Sequence, residues 1–224
     1  MNTVFLKHFS PPPVNRREIL RYAGVKAADD ATNALLDDCL KEAENVFSFS
    51  VCYIECPVSF CDGFIDFSFT KTESKNLAKN LASCQQVVLF AATIGIGLDR
   101  LVSRYTKISP ARALLLNAIG TERIESLCDT FCSSLSEEKE KEGLFTVPRY
   151  SPGYGDLPLN FQTEIFSVLD PSRKIGLSLN KSLLMSPSKS VTAIVGLSRC
   201  DKKSKADLPC LSCNKENCQY RRII

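Results

Sequence analysis

The chain has 224 residues, of which 44% are hydrophobic and 24% charged, enough apolar material for one large domain or two small ones around a real core. Its longest apolar stretch, Val87 to Leu98, is broken by Thr93, Gly95 and Gly97 and falls short of the roughly 20 residues that cross a bilayer, so no membrane span is expected. The net charge of +3 is uneven: Arg199 to Ile224 holds seven Lys/Arg against three Asp/Glu, and the near-neutral body argues against a broad nucleic-acid face.

Met1 to Ser10 carries Lys7 and His8 inside its apolar segment and leads into Pro11-Pro12-Pro13, so it lacks the apolar region of a secretion signal and a cytoplasmic protein is expected. Asn15 with Glu18 three residues on, ahead of Ile19, Leu20 and Tyr22 and closed by Gly24, predicts a short capped helix. Asp29 or Asp30 caps a second, whose apolar positions Leu35, Leu36, Cys39, Leu40 and Ala43 keep helical spacing. Phe47 to Cys56 and Phe64 to Phe69 are rich in aromatic and β-branched residues and predict strands. Ser74 starts another helix through Leu77 and Leu81, and Gln86 to Thr93 has the continuous apolar character of a strand buried on both faces.

Ser109-Pro110 is a helix-start pair, and apolar residues recur from Leu114 through Phe131, predicting a long helix that ends in the charged stretch Glu137 to Glu142. A glycine- and proline-bearing loop comes next at Pro148 to Pro158, then a helix over Phe161 to Leu169 and strands at Ile175 to Leu179 and Ser190 to Leu197. Strands and helices mix without regular alternation, which favours α+β over a doubly wound sheet. Periodic patterning stops after Ser198, so the domain is expected to span 1–198, with a helical N-terminal part over about 1–45, and residues 199–224 to form a cysteine-rich basic tail.

Eleven cysteines are an odd number, and eight of them, from Cys39 to Cys200, are scattered among apolar patterns without a disulfide framework, as in a reducing compartment. The tail differs: Cys200, Cys210, Cys213 and Cys218 are spaced C-x9-C-x2-C-x4-C in a polar stretch, a thiolate density that suits zinc or an iron–sulfur cluster. The other reading of the tail is an unstructured segment with redox-active or idle thiols. Gly95-Ile96-Gly97 after the buried strand lacks the third glycine of a dinucleotide loop and reads as a strand-to-helix turn.

The constellation richest in chemistry is Arg149-Tyr150-Ser151-Pro152-Gly153-Tyr154-Gly155-Asp156, followed by Gln162, Ile175-Gly176-Leu177 and Met185-Ser186-Pro187-Ser188-Lys189-Ser190-Val191. It offers a guanidinium for bidentate carboxylate recognition, glycines that let backbone amides approach a ligand, and tyrosine faces for stacking or cation–π contact. Composition alone favours a structural turn, because loops with Gly and Pro are common.

Arg-x-x-x-Gly-Tyr with the downstream Ile-Gly and Met-x-Pro-x-x-Ser-Val pieces resembles the S-adenosylmethionine-binding signature of the activation domain of cobalamin-dependent methionine synthase, in order and in spacing. The likeness is specific over Pro148 to Leu197 and diffuse over Glu18 to Phe131. It implies a curved α+β domain with an antiparallel sheet and flanking helices. It also implies that Arg149 holds the ligand carboxylate, that Ser151 and Gly153 give backbone contacts, and that Tyr154 packs beside the adenosyl or sulfonium part. The acidic residue expected on the long helix is either Glu122 or Glu125, and the cysteine tail stands where the family continues into a tyrosine-bearing stretch.

The resemblance implies a methyltransferase component rather than a complete enzyme. A complete synthase needs further barrel modules of roughly 250 residues each, so the cobalamin would be carried by a separate methionine synthase chain. The domain would bind S-adenosylmethionine for reductive methylation of the oxidised corrinoid, with flavodoxin or ferredoxin as electron donor. Two other readings remain open at this point: an iron–sulfur electron carrier for a corrinoid protein, and a non-catalytic interaction protein with a zinc tail.

Overall fold

The computed structural model describes residues 3–200. Side-chain caps set three of its helices: Asn15 accepts the Glu18 amide ahead of α1 (Arg16–Tyr22), Asp29 the Thr32 amide ahead of α2 (Asp30–Ala43), and Ser74 the Leu77 amide ahead of α3 (Lys75–Leu81). Gly95, at a φ of +84°, turns the chain into α4 (Gly97–Tyr105), and the Val46 carbonyl lies where a Cβ on Gly97 would stand. The Gly95-Ile96-Gly97 stretch is therefore the strand-to-helix turn its sequence suggests. α5 (Pro110–Glu140) starts on proline's preset φ, because the Ser109 side chain makes no capping hydrogen bond. Among the described residues α6 (Phe161–Leu169) and α7 (Pro171–Ile175) complete the helices, with a 3-10 turn at Glu44–Val46.

The strands, in chain order, are β1 (Phe5–His8), β2 (Ser50–Pro57), β3 (Ser59–Cys61), β4 (Phe64–Asp66), β5 (Lys71–Thr72), β6 (Cys84–Thr93), β7 (Phe145–Thr146), β8 (Ser178–Leu179), β9 (Met185–Ser186) and β10 (Ser190–Ser198). Five of them form a curled antiparallel sheet in the order β1-β2-β6-β10-β7, flanked by a small β3-β4-β5 ribbon and a β8-β9 pair. Register is set by pairs such as Ser50 with Thr93 and Thr93 with Ser190, which puts alternate residues of three long strands on common faces.

On one face Val51, Tyr53, Val88, Phe90, Ala92, Ala193 and Val195 pack against α5, α2 and α4. Phe131 of α5 anchors this side, its ring centroid 4.9 Å from Phe90 and 5.3 Å from Tyr53. On the other face Cys52, Ile54, Val87, Leu89, Ala91 and Ile194 meet α3, α6 and the residues around α7. β6 is thus covered on both sides, as its unbroken apolar run requires. The free thiols of the sheet serve as small apolar side chains, and burial pushes Cys52 and Cys56 up to about 12.

Several expectations are corrected. Ile175 closes helix α7 instead of opening a strand, because Asp170 in a left-handed conformation followed by Pro171 restarts a helix, and Gly176 at a φ of +67° ends it. Only Ser178–Leu179 of that segment is extended. The strand expected over Phe64 to Phe69 stops at Asp66, since Ser68 takes a φ of +70° and gives its amide to the Asp66 carboxylate at 2.8 Å. The N-terminal helices are preceded by β1, and α4 also escapes the sequence reading, although Leu98, Leu101, Val102 and Tyr105 keep helical i, i+3, i+4, i+7 spacing, while the strands β3, β5, β7 and β9 are too short to show a period.

Candidate functional site

The outer edge of β10 is joined by the chain leaving β7. The Val147 amide donates to Gly196 O at 2.9 Å, and Tyr150 and Ile194 exchange main-chain bonds of 2.8 and 2.9 Å. Alternation along this extended segment sends Tyr150 into the α6 side of the core and Arg149 toward α5. Arg149 Nη1 donates to Asp129 Oδ1 at 2.5 Å and Nη2 to Glu125 Oε2 at 2.6 Å. The two carboxylates are one helical turn apart on α5 and share a face, so a single planar fork reaches both.

The Arg149 side chain is 19% exposed, so the cluster is open to a ligand at its rim. Burial works against its charge, but the Cys128 thiol, Asp129 and Glu125 outweigh this and raise its pKa above arginine's ordinary value. Burial pushes the neighbouring Cys128 and Cys132 thiols upward, with the guanidinium pulling the other way, so both stay protonated at neutral pH.

Beyond Tyr150 the loop is a series of tight turns. The Tyr154 amide donates to Ser151 O at 3.1 Å, the Gly153 amide to Leu157 O at 2.9 Å, and the Leu157 amide to Tyr154 O at 3.1 Å. Gly153 holds a φ of +84°, and the Tyr150 hydroxyl and Asn76 amide occupy the place a Cβ on Gly155 would need. Tyr150 Oη donates to Tyr154 O at 3.2 Å, and the two rings meet edge to face at 5.5 Å. Asp156 ties the loop's far end to the head of α3, accepting the Ser74 hydroxyl, the Lys75 amide at 2.7 Å and the Asn76 amide at 3.3 Å. The Ser74 hydroxyl and these amides hold its carboxyl below the usual range.

Arg149, Ser151, Gly153 and Tyr154 therefore lie in one structural unit. Tyr154 turns a ring that is 59% exposed outward, whereas the Ser151 carbonyl and the Gly153 amide are already used inside the loop. Of the two acids the sequence leaves open, Glu122 is buried against Arg123 and accepts the Asn15 amide at 3.0 Å, and Glu125 is the one that meets Arg149. Asp129 escapes the sequence reading; its i, i+4 spacing from Glu125 is the signal that could have found it.

Gln162 supports the loop at Leu183, donating to that carbonyl at 3.0 Å, and Ser188 clasps Asp99 of α4 through its amide at 2.8 Å and its hydroxyl. Cys200 is exposed just past β10, its amide donating to Ser198 Oγ at 3.1 Å. Cys210, Cys213 and Cys218 lie outside the described residues. Among the described residues no group of three or more His, Cys, Asp or Glu side chains is placed to hold a metal ion, and no helix is long and apolar enough to cross a membrane.

The curled antiparallel sheet, helix-covered on both faces and carrying the Arg149 loop on its β10 edge, defines the chain as an α+β domain of reactivation-domain type in its fold. Among solved structures it is similar to the reactivation domain of MetH, crystallised with AdoHcy, with a TM-score of 0.64 and 15% sequence identity over 90% of this chain and 80% of that one. The resemblance carried by the Arg149 and Met185 segments thus holds at the level of the fold. No protein-family model and no curated protein matches the chain.

Proposed function

We propose that the Arg149 loop binds S-adenosylmethionine and that the domain supports reductive methylation of an oxidised corrinoid carried by a separate methionine synthase chain. The observation that carries this reading is the Arg149–Glu125–Asp129 cluster, set on a fold whose solved counterpart holds AdoHcy. Two carboxylates against one guanidinium leave the cluster with a net negative charge. That complements a ligand bearing one carboxylate, one ammonium and one sulfonium. On α5 Arg149 gives N–H donors, out of its five, to Asp129 and Glu125 and makes a side-chain hydrogen bond to Cys132. The remaining donors serve the ligand carboxylate, while Glu125 and Asp129 receive the ammonium, and the exposed Tyr154 face lies beside the sulfonium or the adenosyl group.

The Gly153 amide is engaged by Leu157, so its contribution is the close approach of its backbone rather than a hydrogen bond. S-adenosylmethionine supplies the methyl group, and an electron from a flavodoxin or ferredoxin returns the corrinoid to the state that accepts it. The chain's own part is to hold the ligand in near-attack orientation.

Calorimetry tests this directly. The full chain is expected to bind S-adenosylmethionine, and Arg149→Ala to weaken binding roughly ten- to a hundredfold, the loss of a charged hydrogen-bond pair worth about 1.5–3 kcal/mol. Arg149→Lys recovers only part, because an ammonium lacks the planar fork. Absence of binding by the unaltered protein, or equal affinity in all three, would overturn the reading.

A further inference from the structure

β1 is an outer strand of the curled sheet, with β2 on one side and, among the described residues, no strand on the other. The Phe9 amide donates to Phe49 O at 3.0 Å, continuing the register that sets Phe5 against Tyr53 and Lys7 against Val51, so the odd-numbered residues turn their main-chain groups toward β2. Leu6 and His8 turn theirs outward, and among the described residues no hydrogen bond is made to those amides and carbonyls. An open row of this kind is a template for a further strand.

The devices that blunt an edge are engaged elsewhere. Lys7 lies on the α5 side, its ammonium 2.8 Å from Glu138 and 5.5 Å from the Tyr53 ring centroid. Phe5 stacks on the same ring at 5.2 Å. His8 belongs to the opposite face, with Nδ1 3.0 Å from Ser50 Oγ, and the prolines come only at 11–13, past the strand. What remains at the rim is apolar: Phe5 and Leu6 are each 45% exposed.

We propose that β1 is an interface for a second copy of this chain, the two strands pairing antiparallel about a two-fold axis through Leu6. Outward-facing groups must meet outward-facing groups, so even-numbered residues pair with even-numbered ones. Centring the pair on Leu6 matches Val4 through His8 end to end. Moving the centre to Lys7 would set two ammoniums directly opposite, a like-charge pair that destabilises, and moving it to Phe5 would leave Lys7 and His8 unmatched within that stretch. In the Leu6 register each Lys7 lies beside the Phe5 ring of the other copy, charge against an aromatic face, and Val4 meets His8. The two Leu6 residues exchange both main-chain bonds and cover each other's exposed side chains, so the two sheets become one. The patch is self-complementary, as a two-fold contact requires. With so short a strand the buried area falls at the small end of specific interfaces, and the pair dissociates on dilution.

The test is sedimentation equilibrium of the full chain from micromolar to millimolar concentration, with amide hydrogen exchange followed by NMR. The mass is expected to rise toward that of two copies. The Leu6 and His8 amides are expected to exchange more slowly as concentration rises, whereas those of Phe5 and Lys7, already bonded within the sheet, hold their rates. Leu6→Pro removes the outward amide without touching a bond to β2, and Leu6→Lys keeps the amide but places two charges on the axis. Each is expected to weaken association roughly tenfold or more. Leu6→Lys decides the matter where the proline disturbs the strand itself. A chain that is monomeric at every concentration, or a dimer that both variants leave intact, would overturn the proposal. So would Leu6 and His8 amides that exchange slowly at every dilution, because another part of the same chain would then cover the edge. None of these outcomes depends on S-adenosylmethionine, so the interface stands or falls separately from the Arg149 reading.

Discussion

Two arginines meet carboxylates of α5 and do opposite things with them. Arg123 is 2% exposed and commits four of its five N–H donors: Nε and Nη2 on Glu122 at 2.6 and 2.7 Å, Nη1 on Pro12 O at 2.6 Å, and Nη2 again on Pro13 O at 2.7 Å. Glu122 is equally committed, taking the Asn15 amide and the Ser126 hydroxyl as well. Arg149, whose acids lie about one and two turns along, touches both but keeps donors and surface in reserve. The same pair of residue types is a fastener where it is buried and nearly saturated with partners and, in the function proposed above, a recognition element where donors are left over. The fastener explains why the proline-rich segment lies where it does, since prolines offer carbonyls without competing amides of their own.

The largest effect that would sharpen this contrast is on stability. Arg123→Met is expected to cost about 3–5 kcal/mol in chemical denaturation, because Glu122 would remain buried without its cation. An unchanged midpoint would erase the distinction between the two arginines. Arg149→Ala is expected to cost no more than about 1 kcal/mol of folding free energy, since Glu125 and Asp129 can turn to solvent, while its ligand affinity falls by the far larger factor given for calorimetry. A smaller effect is expected of Tyr154→Ala, which removes an edge-to-face partner and an exposed aromatic surface. It should weaken S-adenosylmethionine binding roughly two- to tenfold, a contribution of about 0.5–1.5 kcal/mol, without moving the denaturation midpoint greatly.

The smallest effect concerns pH. The Asp156 carboxyl sits lower in the folded chain than in the unfolded one, so its contribution to stability is complete above the ordinary carboxyl range and fades as pH falls through the folded value. Asp156→Asn should therefore flatten the acid limb of the stability profile and leave the neutral plateau lower. An acid limb identical in both proteins would detach the loop from α3.

What the sequence makes legible is local chemistry. The caps Asn15, Asp29 and Ser74 and the apolar runs of β6 and α5 act on their own neighbours, and they fix those elements. The end of α7 reads as a strand because Ile175 and Leu177 look like alternating apolar residues, whereas the deciding feature is the left-handed turn at Asp170, a property of backbone conformation. The loop itself is legible through its motif, but its partners are not. Which acid of α5 faces Arg149 depends on the rotation of a 31-residue helix against the sheet, which is a tertiary fact. The same rotation brings Gly120 under the Lys189 stem, a match between distant residues that no local spacing announces.

The loop around Gly153 is moored three times: to β10 through Tyr150, to itself through Leu157, and to α3 through Asp156. Freezing a residue's backbone costs about 1–2 kcal/mol of conformational entropy, and here that cost is met when the chain folds rather than when a ligand arrives. Association at this surface should therefore proceed as docking onto a rigid platform, with fast capture and little entropic penalty from the protein. Loosening the α3 mooring would show itself first as a more unfavourable binding entropy, before any contact to the ligand is lost.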